Sequence, residues 1–178
     1  MVDTLLPLGG PETSPLPPIR RVVTSHNDAA KAIVAIDDHL KAPLIPSGNG
    51  VQTIWSSETS PADLSGHGDR ANVRVPIVNN GSILRIVDCA PHSPGHMHRT
   101  TSLDYLLLMS GTLIMHLDDG SKTTLNAGDL IVQQGTNHQW ENPSGEWARL
   151  IAVLLPAHEP LVSGQTLTDN SSSVTAKH

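Results

Sequence analysis

The chain has 178 residues, a formal net charge of −6 and a sequence pI of about 5.9, which fits one domain with a hydrophobic core. Its 11 Lys and Arg residues form no basic cluster, so nucleic acid is not an expected partner. A single cysteine, Cys89, excludes an internal disulfide framework. We recognise neither a secretory leader nor an apolar run approaching the roughly 20 residues of a membrane-spanning helix, and therefore expect a soluble, cytoplasmic protein without a membrane partner.

Short apolar runs separated by turn signals make up most of the chain. They predict strands at 20–25, 31–37, 51–57, 72–78, 82–90, 102–110, 112–118, 123–127, 129–134, 138–142 and 148–155. Asn and Gly residues in the turns between them provide the positive φ that tight reversals require. Many short strands with such turns are typical of an all-β sandwich or small barrel. The only helical candidate is a single turn at 60–66.

The two ends of the chain differ from its centre. Residues 1–18 are rich in Pro, Gly, Ser and Thr, and residues 159–178 are polar. Such segments bury too little apolar surface to offset the entropy of ordering them. We therefore expect a mobile N-terminus and a flexible C-terminal tail.

A cluster of possible metal ligands follows residue 95. On a strand, His96 and His98 would project to the same face, roughly 6.6–6.8 Å apart along the chain. Asp104 can add a carboxylate, and His138, which opens a later strand after a Gly-Thr-Asn turn, can add a third imidazole. A carboxylate with two or three histidines is a usual ligand set for Zn, Fe, Mn, Co or Ni. The alternative is that these are ordinary hydrogen-bonded or exposed histidines.

Apolar side chains are expected around this cluster. Leu106 and Leu108 share the face of Asp104 in a strand, because side chains alternate with period 2. If His138 faces inward, Trp140 does so too. Its indole can stack on a planar substrate or can simply belong to the core.

Two arginines interrupt otherwise apolar strands. Arg85 lies in SILRIVDCA and Arg149 in WARLIAVLL. Facing inward, either guanidinium can hold a carboxylate or enolate oxygen of a substrate. The alternative is that both lie on the solvent face, where alternation normally places charges.

The first histidine cluster resembles the first motif of the cupins, which consists of Gly, His-x-His, Glu and Gly at set spacings. His96 and His98 match its His-x-His, and Gly111 closes it. Asp104 stands at the place of the Glu, five residues after the histidines instead of three or four. Gly95 lies nearer to the histidines than the motif places its first glycine.

The second cupin motif is similar to residues 128–142. Gly128 opens it, Gly135 precedes His138 by two residues, and Asn142 follows three residues later. Gln133 stands at the place of its proline, and the gap after Gly128 is one residue short.

A narrower resemblance covers about residues 19–156. Segments such as TIWSSETSPADLSG, MHRTTSLDY and AGDLIVQQGTNHQWEN are similar to small single-domain cupins of fungi, many of them encoded among secondary-metabolite genes. The resemblance implies a double-stranded β-helix, the jelly-roll barrel of the cupins, at 69–158. It also implies N-terminal extension strands at 19–68 that pack on the barrel or on a partner, and hence a homodimer.

This resemblance implies a divalent metal bound by His96, His98, Asp104 and His138, with His96 and Asp104 acting either as ligands or as the acid–base pair. Arg85, Leu106, Leu108, Trp140 and Arg149 would form the substrate pocket. A metal in an apolar barrel can act as a Lewis acid, so we expect a lyase or isomerase acting on a small polyketide-like carbonyl compound by decarboxylation, dehydration or cyclisation. The alternatives are an Fe(II) dioxygenase and a ligand-binding cupin without turnover.

Overall fold

The computed structural model describes residues 12–66, 68–71 and 80–171. Within these ranges the regular structure consists of strands: β1 (Ile19–His26), β2 (Ala32–Leu40), β3 (Gly50–Ser56), β4 (Ile83–Cys89), β5 (Ser102–Ser110), β6 (Thr112–Leu117), β7 (Lys122–Asn126), β8 (Leu130–Gln134), β9 (His138–Glu141), β10 (Ala148–Pro156), β11 (Leu161–Val162) and β12 (Gln165–Thr166). The strand predicted at 72–78 lies outside the described residues. No helix in the described part of the chain is long and apolar enough to cross a membrane.

The helical turn expected at 60–66 is not formed. Asp63 accepts a hydrogen bond from the backbone N–H of Ser65 at 2.9 Å, which gives the chain an irregular local turn. Short polar side chains of this kind compete with helical backbone bonding, so a possible N-cap at Ser60 was not enough to predict a helical turn here.

Two antiparallel sheets form a jelly-roll barrel. The larger sheet has the order β3-β4-β10-β5-β8, and the smaller has the order β7-β6-β9. The core lies between them, because alternation along β5 turns Leu106 and Leu108 inward while Tyr105 and Met109 stay exposed. The predicted double-stranded β-helix is confirmed.

The interior has an apolar end and a polar end. Leu108 and Leu113 are fully buried at the apolar end, where each buried side chain stabilises the fold by about 1.5–3 kcal/mol. At the polar end, the buried side chains include Asp104 near the start of β5, Gln133 at the end of β8 and His138 at the start of β9.

The N-terminal extension covers part of the outer face of the larger sheet. The β1–β2 hairpin brings Ile19 and Leu40 onto a second apolar cluster that includes Ile86. The extension also supplies β3, which pairs with β4 inside the larger sheet. Ser14 donates its backbone N–H to Ala42 at 2.8 Å, so part of the N-terminal segment expected to be mobile contacts the fold, while residues 1–11 lie outside the described residues.

The C-terminal segment folds back over one end of the barrel. After the β11–β12 hairpin, Asn170 exchanges hydrogen bonds with the backbone of Arg99, and Asp169 accepts one from the N–H of Thr101 at 3.3 Å. This part of the expected flexible tail therefore lies beside the residues that directly follow His98. Residues 172–178 lie outside the described residues.

Candidate functional site

His98 and His138 meet at the polar end of the barrel. They form an isolated β-bridge in which each backbone N–H donates to the other residue's carbonyl at 2.9 Å. The bridge brings their ring centroids to 4.4 Å. His138 is buried because it opens β9 on the inward face, and its ring lies 5.7 Å from that of Trp140.

Hydrogen bonds to backbone carbonyls determine which nitrogen of each imidazole carries a proton. The Nδ1 atom of His98 lies 2.9 Å from the carbonyl oxygen of His96, and Nδ1 of His138 lies 2.9 Å from that of Thr136. A carbonyl oxygen only accepts, so Nδ1 carries a proton in each ring, and the neutral form of each ring has its lone pair on Nε2. Burial lowers the pKa of His138 to about 4, so this ring is neutral near pH 7.

Asp104 is a buried carboxyl with one engaged oxygen. Its Oδ2 accepts a hydrogen bond from Nε2 of Gln133 at 2.7 Å, across the β5–β8 pairing that places the two residues in register. Burial raises the pKa of Asp104, while hydrogen bonds from Ser102 and Gln133 and the charges of Arg85 and His98 oppose the shift. The protonated acid is therefore favoured more than in water.

Arg85 faces the same interior. Arg85 lies on the same face of β4 as Ile83 and Val87, which pack into the core. Leu84 and Ile86 lie on the opposite face and belong to the outer apolar cluster. Burial lowers the pKa of its guanidinium, and the charge of Asp104 opposes that shift. The inward orientation considered for Arg85 is therefore the one the structure adopts.

Arg149 lies on the other face of the larger sheet, so the structure does not place it in the pocket. Its Nε and Nη2 donate to the two oxygens of Asp88 at 2.6 and 2.7 Å, and Nη1 donates to the carbonyl of Pro17 at 2.7 Å. Its neighbours Ala148 and Leu150 both enter the core. Alternation sends Arg149 outward, where a buried ion pair uses its charge to fix the N-terminal segment.

His96 does not enter the barrel beside His98. Its ring is exposed and stacks on that of His98 with a centroid distance of 6.3 Å. The segment is not a regular strand, because it has a single bridge at His98 and a positive φ at Gly95. The expected sharing of one face by i and i+2 therefore does not apply here.

The predicted four-ligand metal site is not assembled by the described residues. His98 and His138 suit two ligand positions, since metal-bound histidines typically donate their second N–H to a carbonyl or carboxylate. The Oδ2 of Asp104 is engaged by Gln133, and within the described ranges no three His, Cys, Asp or Glu side chains are grouped at a distance that could hold an ion. The metal stays a prediction.

The pocket walls agree with the expected alternation, with one addition. Leu106 and Leu108 are buried core residues, and Trp140 packs half-buried against them. Gln133 was not identified as a site residue from the sequence, although it is 4% exposed and bound to Asp104. Two features of the sequence could have identified Gln133. It shares a face of β8 with Ile131, and it stands where the cupin motif has proline.

The fold and the site together define a class of protein. It is a jelly-roll barrel with paired histidines and a buried carboxyl at one mouth. The cupin domain family matches residues 85–154. The chain is 34% identical over 157 residues to Phomopsin biosynthesis cluster protein D of Diaporthe leptostromiformis, covering 83% of each chain. It is 32% identical to the cupin-domain-containing oxidoreductase virC of Hypocrea virens, covering 84% of this chain and 83% of virC.

Among solved structures, a Cupin 2 conserved barrel domain protein from Salinispora arenicola aligns with 65% of this chain and 82% of its own, at a TM-score of 0.46 and 20% identity. On the sequence comparisons, the chain belongs to the cupin-domain family, and its relatives include proteins of fungal biosynthesis clusters.

Proposed function

We propose that this cupin is a biosynthetic enzyme that moves protons on a small carbonyl compound, as a lyase or isomerase. The observation that carries the proposal is the His98–His138 pair, with both Nδ1 atoms bound to backbone carbonyls at 2.9 Å. This arrangement leaves two Nε2 lone pairs beside an apolar interior, and a positioned neutral imidazole is the commonest general base in enzymes.

The proposed reaction uses the side chains of this chain alone. One imidazole Nε2 removes a proton from the carbon next to the carbonyl, and the C–H electrons form an enolate with its charge on the carbonyl oxygen. Protonated Asp104 then gives its proton to a β-hydroxyl, which leaves as water, or to a carbon atom, which completes an isomerisation. Exchange of one proton with solvent returns both residues to their starting states. His96, being exposed, has no part in this scheme.

A redox reaction is the second candidate. It is supported by the names of relatives, since virC, 32% identical, is described as a cupin-domain-containing oxidoreductase. Such a reaction would consume an oxidant such as O₂, whereas the acid–base reaction would not.

Deletion of the gene in the organism that encodes it tests the proposal. We expect a carbonyl compound to accumulate and the wild-type gene to restore its conversion. His98→Ala and His138→Ala should reduce conversion by at least about 100-fold, the usual contribution of a general base. His116→Ala is the matched control, because His116 lies on the outer face of β6 and pairs with Glu141 at 2.6 Å.

The accumulated compound then serves as the substrate in vitro. Isomerisation in D₂O should place deuterium on carbon and dehydration should release water, both without O₂ uptake, whereas stoichiometric O₂ uptake would favour the redox reaction. Full complementation by a His98→Ala/His138→Ala double variant would overturn both enzymatic proposals in favour of a binding protein.

A further inference from the structure

Six buried side-chain polar atoms have no hydrogen-bond partner among the described residues, and three of them belong to inward-facing residues of β4, β5 and β8. These three are Nε of Arg85, Oδ1 of Asp104 and Oε1 of Gln133. An unpaired buried polar atom destabilises a fold, and native proteins contain few of them. Three such atoms on one interior surface point to a ligand that completes their hydrogen bonds.

The three residues lie on different strands of the same sheet. Arg85 is on β4, Asp104 on β5 and Gln133 on β8. Each lies two residues from a core residue of its own strand and therefore on the same face, so all three face the same interior. Between β4 and β5, the β10 residue in register with Arg85 is Ala152. The β10 residue in register with Asp104 is Leu154, which packs into the core.

The interior arginine and carboxyl do not close into an ion pair, although their charges attract. On the outer face of the same sheet, Arg149 of β10 and Asp88 of β4 form a bidentate pair at 2.6 and 2.7 Å. The ion pairs of the described residues include that outer pair but none between Arg85 and Asp104. Arg85 therefore has a free N–H donor, and Asp104 and Gln133 each have a free oxygen, that a bound ligand can engage.

We propose that Arg85, Asp104 and Gln133 bind a planar compound that carries a carbonyl and a hydroxyl group at separate positions. The Nε–H of Arg85 donates to the carbonyl oxygen, and the hydroxyl group donates to Oε1 of Gln133. Oδ1 of Asp104 faces the same compound, and Trp140, on the inward face of β9 beside Met115, provides an aromatic wall. This inference rests on the proposed function, because it names the substrate class of the same site.

Binding of three probes of similar size tests this proposal without turnover. We expect wild-type protein to bind 4-hydroxyacetophenone at least tenfold more tightly than 4-methylacetophenone in isothermal titration calorimetry. A site built to hydrogen-bond a hydroxyl group rejects the analogue that lacks it, since its own polar atom is then left unpaired. The same protein should bind 4-ethylphenol, which lacks the carbonyl, at least tenfold more weakly than 4-hydroxyacetophenone.

Neighbouring glutamines provide a matched pair of variants. Gln133→Met should abolish the preference for the hydroxyl group, whereas Gln134→Met, at the exposed next position of β8, should keep it. Arg85→Met should abolish the preference for the carbonyl. Each loss is specific to one probe pair, which general damage to the pocket would not produce.

Equal binding of all three probes by the wild-type protein overturns the proposal, whether or not the variants fold. A tenfold hydroxyl preference that persists in folded Gln133→Met also overturns it. Because binding requires no base, the probe preferences can hold while His138→Ala still complements the deletion. In that case the proposed function fails and the ligand class stands.

Discussion

At the scale of single residues, the buried imidazole of His138 makes stability depend on pH. Burial lowers its pKa to about 4 in the folded protein, against about 6.5 in an unfolded chain. Between these values the unfolded state binds the extra proton, so stability is fully present above pH 6.5 and is lost as the pH falls towards 4. The shift corresponds to about 3 kcal/mol at most.

We expect the free energy of unfolding of the wild-type protein to fall from pH 6.5 to pH 4 by more than that of His138→Gln. Urea unfolding at several pH values measures the difference. Asp104 and His98 also face this site, and the raised pKa of Asp104 acts in the opposite direction, removing stability as the pH rises through it. Comparing wild type with variant at each pH cancels that contribution. Parallel curves for the two proteins would contradict the assignment.

The sequence predicted inward side chains wherever one strand could be read alone. Alternation from His138 placed Trp140 on the inward face, and alternation from Asp104 placed Leu106. It could not separate Arg85 from Arg149, because their faces depend on which neighbours each strand buries. Arg149 is fixed by Asp88, a partner 61 residues away along the chain.

At the scale of elements, the segment before His98 depends on Gly95. This glycine has a φ of +70°, and a Cβ placed on it would lie 2.0 Å from the carbonyl oxygen of Trp140. The close approach lets the segment run beside β9, where it forms the His98–His138 bridge.

Gly95→Ala should therefore destabilise the protein by about 3 kcal/mol or more, because both backbone strain and a clash must be relieved. Gly120→Ala is the matched control, since Gly120 has a φ of +86° but open space around its Cβ position, and strain alone costs about 1–2 kcal/mol. Urea unfolding measures both costs. Equal losses would show that the approach to β9 does not constrain this segment.

Strands were predicted well where alternation and turns were regular, as in β4 to β10. The irregular segments were not predicted well. The shared face expected for His96 and His98 depended on a strand that is not regular, and residues 159–178 were expected to form a flexible tail. The described parts of both segments are fixed by a few hydrogen bonds to distant residues, which leave no periodic pattern in the sequence.

At the scale of the whole molecule, the outer face of the larger sheet is covered unevenly. The β1–β2 hairpin packs over β3, β4 and β10. On β5 and the edge strand β8, Tyr105, Leu130 and Val132 are 48%, 79% and 60% exposed. Val22 and Val34 of the hairpin are also exposed. Exposed apolar patches of this kind mark interaction sites, and a second copy offers matching surfaces.

We therefore expect a homodimer in which the β5–β8 face is covered. Light scattering coupled to size-exclusion chromatography should give twice the 18.9 kDa chain mass. Val132→Lys should shift the protein to monomer, because the charge would be buried without a partner. Leu64→Lys, at an exposed position outside this face, should remain dimeric. A monomeric wild-type protein at micromolar concentration would contradict the expectation.

The division of the barrel interior into two ends has a consequence for how such a protein can diverge. The packing that Leu108 and Leu113 provide at one end is separate from the polar side chains of Arg85 and Gln133 at the other. Substitutions at the polar end can change which molecule is accepted while leaving the folding core intact. One scaffold of this kind can therefore be copied and retuned, so that duplicate genes come to serve different products without first passing through an unstable ancestor.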